Sequence, residues 1–268
     1  MTMTFKKSVA ALASVAALAA AGNANAFLNN WYIDSDGAAG AGAAVEVAEY
    51  LDLNGSAYIA NTFSTATNFT FNEAGVFVTT MANSADSLPT TLNSTFIGTG
   101  SGTTGSGITF DAGGILKVYS GAAIPANQIA EFELQQGQGV LQGTSLVPNG
   151  EISLVFKATS LDAGYFFKDA ALTNDLSVGV AAGDTVLFGF ASTNASALTS
   201  WTGATNTRLT SLYNDAFNPD IANIANNGTT ELVISNNGQF RLAVPEPTSM
   251  ALVGLGLTGL AALRRRKA

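Results

Sequence analysis

The 268-residue chain contains no cysteine and no histidine. Without cysteine there is no disulfide framework and no thiolate metal site. Without histidine the commonest general base is missing, and with it every Ser-His-Asp, Cys-His or His-ligated zinc arrangement. Carboxylate-pair chemistry remains formally possible. Proline is scarce, at six residues. Cations are scarce too between residues 27 and 244. Lys117, Lys157, Lys168, Arg208 and Arg241 stand there against 18 carboxylates, a formal charge of −13. Such a field repels nucleic acid and anionic lipid surfaces, and it serves solubility or divalent-cation binding.

Charge of the opposite sign collects at the two ends. Lys6 and Lys7 precede an Ala/Leu/Val run from Ser8 to Ala21, and Ala24-Asn25-Ala26 follows. A positive n-region, an apolar h-region and an A-x-A site make a secretory signal peptide. It implies passage through the Sec export machinery and cleavage after Ala26, leaving Phe27 first. At the other end Pro245-Glu246-Pro247 is followed by an apolar run, Met250 to Leu263, and then Arg264, Arg265, Arg266 and Lys267. The two prolines hold the backbone extended and stop a helix from continuing upstream. The four cations resist crossing a bilayer and stay cytoplasmic. As helix, the run reaches roughly 21 Å against a hydrocarbon core of about 30 Å, which is short for a permanent span. A short apolar tail behind a polar segment has the logic of an anchor signal that is read and then removed.

The Val244-Pro245-Glu246-Pro247 segment, the glycine-bearing apolar run and the terminal arginines resemble the PEP-CTERM sorting signal of exopolysaccharide-producing Gram-negative bacteria. The resemblance implies an exosortase-like membrane enzyme as processing partner. It also implies transient residence in the inner membrane, then the cell surface or extracellular matrix. Glu49 to Gly55 and Phe69 to Phe77 are similar to flocculation-associated members of that group. That likeness implies aggregation within an exopolysaccharide matrix, with no catalytic residues and no cofactor. Three segments result: a signal peptide, 1–26; an exported domain, 27–244; and a sorting segment, 245–268.

The body reads as all-β. Ala130, Phe132 and Leu134 oppose Glu131 and Glu133, and Ile152, Leu154, Phe156 and Ala158 oppose Ser153 and Lys157, as in half-buried antiparallel strands. Short runs at Asn68–Asn72, Val76–Thr80, Ser94–Thr99, Gly107–Phe110, Ile115–Ser120, Tyr165–Lys168, Leu176–Ala181 and Thr185–Ala191 continue the pattern between turns. Gly100–Ser106 reads as a flexible linker. Asn236-Asn237-Gly238 reads as the turn of a final hairpin. Leu209, Leu212, Tyr213 and Phe217 sit at helical spacing ahead of Asn218-Pro219. Ala38–Ala48 is undecided between loop, strand and helix. The expectation is an antiparallel β-sandwich or jelly-roll-like domain, flanked by a signal helix and a short C-terminal apolar helix.

Candidate sites are few. Asp34, Asp36, Asp52 and Asn54 lie beside Gly turns as calcium ligands do, yet neither stretch completes a calcium-loop pattern, and turn formation explains both. Glu131 and Glu133 have a spacing that approaches glycosidase carboxyl separations, but a solvated outer face explains them as well. Trp31, Tyr32 and Trp201 offer sugar-stacking surfaces or core packing. Asn54, Asn68, Asn93, Asn194 and Asn227 begin Asn-x-Ser/Thr triplets. The chain reads as a non-enzymatic adhesive protein of the envelope or exopolysaccharide matrix, in biofilm or floc formation. A carbohydrate-binding module is the alternative, and a carboxylate-dependent glycan-degrading enzyme the third choice. Intact-mass analysis of the exported protein is expected to show Phe27 at the N-terminus and a mass below that of 27–268. Recovery of the 1–268 mass from the cytosol would contradict this.

Overall fold

Alternating apolar and small polar residues put every second side chain on one face of a strand. The computed structural model describes residues 30–38, 44–121, 127–148 and 152–243. The expected signal segment, 1–26, and sorting segment, 245–268, with their helices, lie outside the described residues. The elements in order are β1 (Trp31–Ile33), β2 (Val45–Val47), β3 (Leu51–Phe63), β4 (Asn68–Ala82), β5 (Asp86–Thr103), β6 (Gly107–Phe110), β7 (Ile115–Ser120), β8 (Gln128–Val140), β9 (Ile152–Leu161), β10 (Phe166–Phe167), α1 (Leu176–Ala181), β11 (Leu187–Ala197), α2 (Gly203–Phe217) and β12 (Glu231–Ala243). The all-β antiparallel expectation holds.

The large sheet closes on itself. Pairing runs β3–β4–β5, then to β6 and β7, then β8–β9–β11–β12. β12 returns to β3, from Glu231 opposite Ala60 to Phe240 opposite Leu51. β6 and β7 share one position in the ring: β5 pairs with β6 along Gly100–Thr103 and with β7 along Leu92–Ile97. Consecutive strands are neighbours, so the connectivity is a meander, and closure leaves the ring without a free edge. A small sheet, β10–β1–β2, is tied to the β4–β5 end. There Ser35 Oγ accepts from Thr90 N at 2.9 Å, and Asn83 Oδ1 accepts from Glu49 N at 2.9 Å.

Opposite walls pack face to face, as in a sandwich. Phe96 on β5 meets Phe156 on β9 edge-on at 5.9 Å, and Phe132 on β8 meets Phe240 on β12 at 6.2 Å. Each buried ring contributes about 1.5–3 kcal/mol. Outside, α2 begins at the Thr202 cap and ends at left-handed Asn218, confirming the helical spacing. Its Leu209 and Tyr213 cover Tyr58, Ala74 and Val233, and Tyr58 donates a hydrogen bond to Glu231 Oε1 at 2.9 Å.

Four local expectations fail. Asn236-Asn237-Gly238 is no turn: β12 runs through it, opposite Gly55, Asn54 and Leu53. Pairing on both sides outweighs the local turn preference, and at Gly238 an added Cβ would meet the Phe190 ring. The supposed linker Gly100–Ser106 is the end of β5 and a hairpin. Gly102 there faces inward, where a Cβ would lie 2.5 Å from the Phe69 ring. Leu176–Ala181 is helix α1 rather than strand, capped by Asp175 accepting from Ser177 N. The separate runs at 68–72 and 76–80 form one 15-residue strand, β4. In the undecided stretch, Val45–Val47 is β2 and residues 39–43 lie outside the described residues.

One acid points inward. Glu73 stands opposite Ile59 and Gly98 and is 6% exposed. Burial pushes its carboxyl up to about 8. The folded value lies above the unfolded one, so between about pH 4.5 and 8 the native state keeps a proton that the unfolded chain has lost. This contribution to stability therefore falls as pH rises through that window, by roughly 4 kcal/mol in all. Glu73→Gln is expected to remove it: the variant's stability advantage over wild type should grow from near zero at pH 4 to its full value at pH 8. A pH-independent difference in denaturant unfolding would contradict this.

Candidate functional site

The structure separates the residues that sequence alone singled out. Asp34 is fully buried; its Oδ1 accepts from Gly37 N at 3.2 Å, and its Oδ2 has no hydrogen-bond partner among the described residues. Burial, then the neighbouring Asp36 carboxyl, raise its carboxyl above the usual range. Asp36 Oδ1 accepts from Ala38 N at 2.9 Å. Asp52 and Asn54 lie within β3, not in a loop, and Asp52 Oδ2 accepts from Ser84 N. Among the described residues no three acidic groups converge on a metal position.

Glu131 and Glu133 are half-buried side chains on one outward face of β8. Glu131 pairs with Lys117 at 3.5 Å and accepts from Thr159 Oγ1, while Glu133 stands in register with Lys157. Two carboxylates along one strand do not face each other across a cleft, as glycoside hydrolysis requires. Trp31 is 1% exposed and stacks on Phe166 at 6.2 Å, so its ring is core. Tyr32 is half-buried, and Trp201 packs against the cluster beneath α2. Asn93 is buried and donates to Gly121 O at 2.6 Å, whereas Asn54, Asn68, Asn194 and Asn227 are exposed.

What the topology brings together is a row that sequence did not single out. Thr62 lies opposite Thr70, Thr70 opposite Ser101, Ser101 opposite Thr109, Thr109 opposite Gln138, and Gln138 opposite Ser153. All six side chains are exposed. They cross six neighbouring strands in one register, at an inter-strand pitch of about 4.8 Å, and so extend over roughly 24 Å. Five of them line a groove of about 740 Å³ that contains no charged residue. Each offers a hydroxyl or amide that donates and accepts. The signal for this row was spread over six period-2 runs; only the pairing register aligns it.

The row sits far from where the chain leaves the barrel. Phe240 is opposite Leu51 and Leu51 opposite Ala82, whereas Thr62 lies eleven residues along β3, roughly 35 Å away. Among the described residues no helix is long and apolar enough to cross a membrane.

Residues 243–267 match the PEP-CTERM protein-sorting motif. The motif indicates an exported protein sorted through its C-terminal segment and implies processing by an exosortase-type membrane enzyme. No curated protein and no solved structure matches the chain. For Trp31, the core position sets the expected outcome of substitution. Trp31→Ala should cost about 3–5 kcal/mol and lower the melting temperature by on the order of 10 °C. An unchanged melting temperature with loss of polysaccharide binding would instead make Trp31 a sugar platform.

Proposed function

We propose that the exported domain is a non-enzymatic adhesive protein that binds neutral exopolysaccharide at the cell surface or in the extracellular matrix. Its cellular effect is biofilm or floc formation, with Sec export and exosortase-type sorting delivering it. The observation that carries this reading is the uncharged row Thr62–Thr70–Ser101–Thr109–Gln138–Ser153 in its shallow groove. A comb of hydroxyl and amide groups at strand pitch offers repeated hydrogen bonds to the successive hydroxyls of a linear glycan. Each bond replaces one to water, so single contacts add little and affinity comes from their number. The −13 charge of residues 27–244 disfavours acidic polymers and leaves neutral chains as the better ligands.

A discrete carbohydrate-binding module is the second reading. Electrophoresis through gels containing a neutral glucan or an acidic alginate separates the two. The adhesive reading expects graded retardation by the neutral polymer only. Ser101→Asp with Gln138→Glu, two positions that are not direct partners, should weaken it by on the order of tenfold, about 1.4 kcal/mol, with an unchanged melting temperature. Equal retardation of wild type and double variant would contradict the assignment. Sharp saturation by a short oligosaccharide would favour the module.

A further inference from the structure

A second concavity lies where α2 overhangs the outer face of β4, β5 and β7. Its volume is about 450 Å³, within the roughly 300–1,000 Å³ of small-molecule sites. The floor is aliphatic: Val76, and the in-register pair Ile97 and Ile115. Leu212 and Ala216 of α2 form the opposing wall. All five are half-buried, so each keeps apolar surface toward the cleft. No aromatic face is offered for a sugar, since the lining Tyr119 is 4% exposed.

Charge at the rim departs from that of the whole domain. Lys117 and Arg208 line this cleft, two of the five cations between residues 27 and 244. Lys117 is held 3.5 Å from Glu131. Arg208 is exposed and has no ion-pair partner among the described residues. The single acid on the rim, Asp215, accepts a hydrogen bond from Ser211 Oγ. A branched-aliphatic trough with an uncommitted guanidinium at its mouth suits an alkyl chain ending in a carboxylate. A cleft of about 450 Å³ has room for a single medium-length alkyl chain. The net negative domain disfavours approach to an anionic bilayer.

We propose that this cleft binds a free single-chain aliphatic carboxylate, with the chain on Val76, Ile97 and Leu212 and the headgroup on Arg208. The test uses the full-length chain in lipid nanodiscs and a decanoate bearing a photoreactive diazirine, with cross-links mapped by peptide mass spectrometry. Saturable labelling is expected on the peptides carrying Val76, Ile97 or Leu212. Decanoate should compete at least about tenfold better than decanol, and decyltrimethylammonium should not compete. Affinity should rise up to about fourfold per methylene from octanoate to decanoate. Arg208→Gln should abolish the preference for decanoate over decanol while leaving the melting temperature unchanged. Leu212→Asp should abolish labelling of the cleft, and Arg241→Gln should change nothing. The proposal is overturned by labelling that is unsaturable or lies elsewhere, by equal competition from decanol, by a preference that survives Arg208→Gln, or by competition from anionic vesicles that matches free decanoate.

Discussion

The closed ring of strands must be filled from within, and phenylalanine rings do it. Several of those rings lie against inward glycines. A Cβ on Gly98 would come 2.6 Å from the Phe96 ring, and one on Gly102 would lie 2.5 Å from that of Phe69. Ring over glycine lets rings on the two strands flanking it meet, as Phe71 and Phe110 do across Gly100 at 5.0 Å. The void left beside Glu73 and Asn236 is about 20 Å³, too small for a ligand.

The inside and the outside of the ring differ in composition. Core formation uses phenylalanine, leucine and isoleucine at alternate positions, while many outward positions carry threonine, serine, asparagine and glutamine beside a few charges such as Lys117, Glu131, Glu133 and Lys157. Threonine favours the strand conformation and stays hydrated. Closure removes the ring edges through which a β-rich chain would otherwise add to another copy. The last strand carries the chain out at the end remote from the polar row.

The sequence made strand character legible wherever alternation was undisturbed, as at Ala130–Leu134 and Ile152–Ala158. It made α2 legible through Leu209, Tyr213 and the Asn218-Pro219 stop. It failed where a local signal competed with long-range pairing. Asn237-Gly238 has the composition of a hairpin turn, yet β3 and β11 flank it on both sides and keep it extended. The glycines of 100–106 read as a linker because the rings they accommodate, Phe69 and Phe71, lie on the preceding strand. Trp31 read as either platform or core because burial by Phe166, 135 residues later, leaves no local trace. The row stayed hidden for the same reason: its six members have no common spacing along the chain and meet only through register. The terminal signals, by contrast, depend on contiguous residues, and the C-terminal one is matched as a motif.

Adhesion through the outer polar row is the claim on which the functional account turns. Hydrogen–deuterium exchange of the exported protein, with and without the host's own exopolysaccharide, tests it most directly. The account expects slowed exchange in the segments around Thr62–Thr70, Ser101–Thr109 and Gln138–Ser153, and none at the β1–β2–β10 end. Slowed exchange confined to that opposite end, or no change at saturating polysaccharide, would contradict it.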